Sequence, residues 1–105
     1  MGGNEIGSHG TLMLFDNPLP SVLIPHGAGK LQSAEIDRLV PEEYRSKGIG
    51  TILLAEAERI SKNNGYNFIW ARTKPDNAVA IRTYAKCGWK YLGKQDEYVC
   101  YGKKL

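Results

Sequence analysis

The sequence predicts an α/β fold of the α+β mixed-sheet kind, with strands and helices in the order β-β-β-α-β-α-β-β. Three observations predict it. From about Gly48 to Asn63, apolar residues recur at helical spacing, and Ile49, Ile52, Leu53, Ala57 and Ile60 form one stripe. Short runs rich in β-branched and aromatic residues flank this segment and have strand character. A strand–helix–strand unit implies a parallel pair, whereas the short connections elsewhere suit antiparallel hairpins.

The elements follow in order. Met1 to Gly10 is rich in Gly, Asn, Ser and His and is expected to be a flexible lead-in or cloning scar, with residues 11–105 as one domain. Thr11-Leu12-Met13-Leu14-Phe15 is a short apolar strand, and Asp16-Asn17-Pro18-Leu19-Pro20 turns the chain. Ser21-Val22-Leu23-Ile24 is expected to be a second strand in a hairpin with the first, ended by Pro25. Ala34 to Val40 is the third, ended by Pro41. After the long helix, Asn63-Asn64-Gly65 provides a stop, because Gly accepts the left-handed conformation there. Tyr66 to Ala71 is a strand. Asp76 or Asn77 caps a second helix from Ala78 to Cys87, which Gly88 ends. Trp89 to Gly93 and Tyr98 to Tyr101 are the last two strands, joined through Gln95-Asp96-Glu97.

Bulk properties narrow the function classes. A chain of 105 residues with 42% hydrophobic and 24% charged content suits one globular domain and argues against general disorder. The net charge of +3 is mild, and the basic residues group only at Arg45/Lys47 and Lys103/Lys104. A nucleic-acid binder shows a basic stripe, so a small anionic ligand explains this pattern with less strain. Cys87 and Cys100 make neither a disulfide framework nor a zinc pattern, so no metal is expected and a reducing, cytoplasmic setting is the plain reading. No apolar run has the length of a membrane span, so no membrane partner is expected.

The chemistry concentrates where a strand leads through a Gly-containing loop into the strong helix. The first turn of a helix has free backbone N–H groups and the positive end of its dipole, which together bind phosphate. Gly48 and Gly50 lack Cβ and admit close approach, while Arg45 and Lys47 add positive charge. The spacing fits neither the Walker P-loop nor the three-glycine dinucleotide fingerprint.

The stretch Leu39-Val40-Pro41-Glu42-Glu43-Tyr44-Arg45-Ser46-Lys47-Gly48-Ile49-Gly50-Thr51-Ile52-Leu53-Leu54 resembles the core motif of the GCN5-related N-acetyltransferases (GNAT). Asn77-Ala78-Val79-Ala80-Ile81-Arg82-Thr83-Tyr84-Ala85-Lys86-Cys87-Gly88-Trp89 resembles that family's second motif, in the expected order. The resemblance implies the acyl-CoA N-acyltransferase fold over about Ala34 to Leu105. It also implies acetyl-CoA as cosubstrate, lying in a V between the two central parallel strands, which would end near Val40 and near Arg72. The backbone of Leu39 and Val40 would pair with the pantetheine arm. Amides of Arg45, Ser46, Lys47, Gly48, Ile49, Gly50 and Thr51 would hold the pyrophosphate, and Asn77 would bond the cofactor arm.

The implied reaction is direct attack of a primary amine on the thioester. The Val40 N–H would serve the oxyanion, and Tyr84 would be the general acid to the departing thiolate. A tyrosine with its ordinary pKa near 10 is protonated at neutral pH, as this role requires. Glu35 is the candidate general base, with Asp37 as second choice. His26 reads as a loop residue, Cys87 as an ordinary thiol, and Trp70 and Trp89 as sheet and core residues.

Members of the family usually carry a further strand and two helices before the hairpin. Without them the acceptor side is expected to be open or completed by a second subunit in a homodimer. The acceptor is a small-molecule or protein amine. A non-catalytic acyl-CoA-binding regulatory module is the alternative, and a small nucleic-acid-binding domain ranks behind both.

Overall fold

The computed structural model describes residues 11–39 and 49–105. Strands β1 (Thr11–Phe15), β2 (Ser33–Leu39), β3 (Phe68–Thr73), β4 (Lys90–Gln95) and β5 (Tyr98–Lys104) form one sheet in the order β1-β2-β3-β5-β4. Helix α1 (Ile49–Asn63) connects β2 to β3, and α2 (Ala78–Lys86) follows β3. β2 and β3 are parallel, as a strand–helix–strand unit requires, and every other neighbouring pair is antiparallel.

The expected strand at Ser21–Ile24 does not form, so the described sheet has five strands and the predicted initial β-β-β run is corrected to two. Residues Ser21–Leu23 instead make a 3-10 turn, in which Leu23 N–H donates to the Pro20 carbonyl and Ile24 N–H to the Ser21 carbonyl. Proline on both sides explains this outcome. Pro18, Pro20 and Pro25 offer no N–H to a ladder, and the fixed φ of Pro20 suits entry into a tight turn. β1 consequently pairs with β2, with Leu14 opposite Ile36.

The strand before α2 starts at Phe68 rather than Tyr66. Gly65, at φ 89°, turns the chain out of α1, and Tyr66 N–H donates back to the Ser61 carbonyl. Trp89 lies in the turn after α2, where its N–H donates to the Tyr84 carbonyl, and β4 begins one residue later.

Alternation along the strands sorts side chains between two faces. Ile69 and Ala71 join Leu14 and Ile36 against Leu53, Leu54 and Ala57 of α1 and Ala80 and Tyr84 of α2. Phe68, Trp70 and Cys100 lie on the other face, covered by Leu19, Leu23 and Leu31. This second cover is the segment between β1 and β2. Leu19 N–H donates to Ser33 Oγ, Trp70 Nε1 donates to the Asn17 carbonyl, and Asn67 bridges Gln32 N–H and the Lys30 carbonyl.

Gly102 explains how closely β5 approaches its neighbours. A Cβ there would stand 2.7 Å from Phe68 Cε2 and 2.8 Å from Leu92 Cδ1.

Candidate functional site

The two central strands separate. The β2–β3 ladder runs through Ser33↔Phe68, Ala34↔Ile69 and Glu35↔Trp70. Beyond that point β2 continues to Leu39 along β1, while β3 continues to Thr73 along β5. A fork therefore opens between the C-terminal arms of two parallel strands, the position where open α/β sheets bind ligands. Both helices start at this end of the sheet. Neither has an acidic residue in its first turn, so the dipole charge there is not offset.

The residues expected around a phosphate divide into two groups. Leu39 closes the β2 arm of the fork, and Ile49, Gly50 and Thr51 form the first turn of α1. Val40, Arg45, Ser46, Lys47 and Gly48 lie outside the described residues. Asn77 is the N-cap of α2, and its Oδ1 accepts from Ala80 N–H at 3.2 Å. That bond uses the carbonyl oxygen, so the Nδ2 amide is the donor that Asn77 can offer to a ligand.

Tyr84 lies on the helix face and is buried. Its ring stacks with Trp89 at 5.1 Å between centroids and with Tyr101 at 5.6 Å. Tyr101 is in register with Ala71, the first β3 residue beyond the fork, which puts Tyr84 at the level where the strands part. Glu58 braces this wall. One of its oxygens accepts from Trp89 Nε1 and the other from Lys103 Nζ, each at 3.0 Å, and Lys103 also donates to the Cys87 carbonyl.

Glu35 is on the opposite face, at the last ladder pair before the fork. It is buried, with Oε1 accepting from Asn17 Nδ2 at 2.7 Å and Oε2 from Arg72 Nε at 2.9 Å. A carboxylate has about four acceptor positions, so two remain after these bonds. Asp37, two residues along the same face, is exposed.

The Arg72 guanidinium stands 5.7 Å from the Trp70 ring centroid and 6.0 Å from that of Tyr98. Arg72, Asn17 and Gln95 were not legible as site residues from the sequence. Arg72 shares a strand face with Trp70 by period two, but its meeting with Glu35 depends on the β2–β3 register. Beneath them, burial pushes the Cys100 thiol above its ordinary pKa. No group of three His, Cys, Asp or Glu that could hold a metal occurs among the described residues. No described helix is long and apolar enough to cross a membrane.

The model of the acetyltransferase (GNAT) family matches residues 10–89. No curated protein matches the chain. Among solved structures, the chain is similar to a GNAT-family acetyltransferase from Listeria monocytogenes, at 14% identity and TM-score 0.70, over 94% of this chain and 59% of that one. It is similar to an acetyltransferase from Bacillus subtilis in complex with CoA, at 19% identity and TM-score 0.72, over 92% of this chain and 69% of that one. It is also similar to the PaiA N-acetyltransferase from Thermoplasma acidophilum in complex with coenzyme A, at 31% identity and TM-score 0.65, over 70% of this chain and 46% of that one. The chain thus spans 59% of the Listeria protein and 46% of the Thermoplasma protein. With the family model covering most of the sequence, and the forked mixed sheet and its two helices in matching order, the chain belongs to the acetyltransferase (GNAT) family.

Proposed function

We propose that this chain transfers an acetyl group from acetyl-CoA to a primary amine by direct attack. The observation that carries this reading is the fork between β2 and β3 at Glu35/Trp70, with the first turns of α1 and α2 at its open end. The fork leaves strand edges to which an extended pantetheine arm can bond. The free N–H groups of a helix start suit a pyrophosphate. The acetyl thioester would supply the electrophilic carbonyl and a thiolate leaving group.

The protein's part is to hold, orient and move protons. Leu39 and Val40 hold the arm through their backbones, the amides from Arg45 to Thr51 hold the pyrophosphate, and Asn77 bonds the arm through Nδ2. Tyr84 donates its phenolic proton toward the thiolate. Glu35 is the carboxylate that receives the amine's proton through its two remaining acceptor positions. Tyr84 and Glu35 lie on opposite faces of the sheet at the fork, which supports the assignment. The amine adds across the plane of the thioester and sulfur leaves from the tetrahedral intermediate, so base and acid act at different positions around the carbonyl carbon, and a thioester in the fork would meet Tyr84 from one face and Glu35 from the other. The free thiols Cys87 and Cys100 suit a cytoplasmic setting.

The burial of Tyr84 among Trp89 and Tyr101 favours a second reading, a non-catalytic acyl-CoA-binding module in which this tyrosine has a structural role. Measuring CoA-thiol release with a panel of amines separates the two. Turnover by the native protein, lowered about 10²-fold in Tyr84→Phe with unchanged acetyl-CoA affinity, is the expected result. Binding of acetyl-CoA without CoA release for any amine would leave the module reading.

A further inference from the structure

We propose that Arg72 anchors a carboxylate on the acceptor, so that the amines acetylated here are those of amino acids. This inference rests on the acetyl-transfer reading for its reaction, though not for its binding chemistry.

The helix face at the fork is filled. Leu53 and Leu54 of α1 belong to the core that holds Ile36, and Tyr84 of α2 is buried against Trp89 and Tyr101. An acceptor therefore reaches the fork from the other face. There the segment between β1 and β2 covers Phe68 and Trp70, but Arg72, two residues beyond Trp70, keeps 39% of its side chain exposed.

Arg72 is held in place without being used up. Its Nε donates to Glu35 at 2.9 Å, and its Nη1 makes a long 3.5 Å contact with Gln95 Oε1. The rings of Trp70 and Tyr98 flank it. Nη2 has no partner among the described residues. A guanidinium has five N–H donors in a rigid fork that matches a carboxylate. Here the protein fixes its orientation through Nε and leaves donors on an accessible side. Glu35 does not depend on Arg72 alone, because Asn17 also holds it.

Charge selects among anions. Glu35 stands within bonding distance of Arg72 and offsets its positive charge. The site therefore suits a monoanionic carboxylate bound by directional hydrogen bonds better than a phosphate dianion. An amino acid also brings an ammonium group, whose charge complements Glu35. The two charges of the zwitterion thus match the two charges of the pair.

The test compares a panel of amino acids with their decarboxylated amines, such as phenylalanine with phenethylamine. In steady-state kinetics with acetyl-CoA, the amino acid is expected to win by roughly 10²-fold in kcat/KM, since sites built to bond a polar group reject analogues that lack it. Arg72→Gln is expected to raise the amino-acid KM and erase the preference while the acetyl-CoA KM stays the same. Arg72→Lys keeps the charge and the pairing with Glu35 and is expected to recover only part of the preference, because an ammonium cannot fork. Equal kcat/KM for each pair in the native protein, or a preference that survives in a folded Arg72→Gln, would overturn the proposal. Calorimetric titration of the same pairs separates the two readings. Preferential binding of amino acids without turnover would support the anchor and count against acetyl transfer. Turnover of both acceptor classes at equal rates would remove the anchor and leave acetyl transfer standing.

Discussion

The two faces of the sheet each carry an ion pair of similar length, Lys103–Glu58 at 3.0 Å behind the helices and Arg72–Glu35 at 2.9 Å on the face without them. Their surroundings differ. Each Glu58 oxygen takes one protein donor, and Lys103 also serves the Cys87 carbonyl at the end of α2. That network ties α1, α2 and β5 together. On the other face the guanidinium is fixed on one side and has an unpaired nitrogen among the described residues. The comparison teaches that a charge pair whose members also tie down other elements is a brace, whereas one with an oriented, accessible guanidinium at a fork in the sheet is equipped to bind.

The largest expected effects should fall on the two faces differently. Tyr84→Phe removes one hydroxyl from the helix face and is expected to lower turnover about 10²-fold while the protein stays folded. Thermal unfolding beside turnover measures both. Arg72→Gln should act mainly through the acceptor, and its stability loss should stay below about 1 kcal/mol, because the amide can still donate to Glu35, which Asn17 also holds. Glu58→Ala should do the reverse. It leaves Trp89 Nε1 without its acceptor and strips Lys103 of its carboxylate in a partly buried site, and is expected to cost about 2 kcal/mol in denaturant unfolding, with acetyl-CoA affinity preserved. Equal stability losses for Arg72→Gln and Glu58→Ala would erase the distinction between brace and binding pair.

The smallest effect has the opposite sign. Ser61 on α1 is fully buried, and its hydroxyl has no hydrogen-bond partner among the described residues. Ser61→Ala removes an unsatisfied polar atom and adds a better helix former, so it is expected to stabilise by about 1 kcal/mol. Chemical denaturation checks this, and a loss of stability would mean that the hydroxyl is bonded in solution.

What the sequence made legible follows from the range of each interaction. The α1 helix, the cap at Asn77 and the Gly65 stop are local patterns, and the structure bears them out. The predicted stripe holds only in part, because Leu53 and Ala57 are buried while Ile52 is exposed and Leu54, outside the stripe, is fully buried. The Ser21–Ile24 strand failed because β propensity in Val22, Leu23 and Ile24 cannot overcome prolines that withhold ladder donors. Tyr84 could be singled out from its motif, but its stacking partner Tyr101 lies on the last strand. The Glu35–Arg72 meeting joins residues 37 apart. It exists because two parallel strands stop pairing at one particular residue, and no local pattern encodes that register. Nor does composition reveal that the segment between β1 and β2 folds over the other face, since Leu19, Leu23 and Leu31 are widely spaced in a Pro- and Gly-containing stretch and share no strand or helix period.

The central claim is that the fork and the helix starts hold a CoA thioester through its arm and pyrophosphate. Calorimetric titration with acetyl-CoA, with 3′-dephospho-CoA and pantetheine as controls, tests it most directly. The account predicts saturable binding of acetyl-CoA that persists with 3′-dephospho-CoA and weakens by at least about tenfold with pantetheine, since losing the pyrophosphate removes several charge-assisted hydrogen bonds. A folded protein that binds none of the three, or binds pantetheine as tightly as acetyl-CoA, would contradict it.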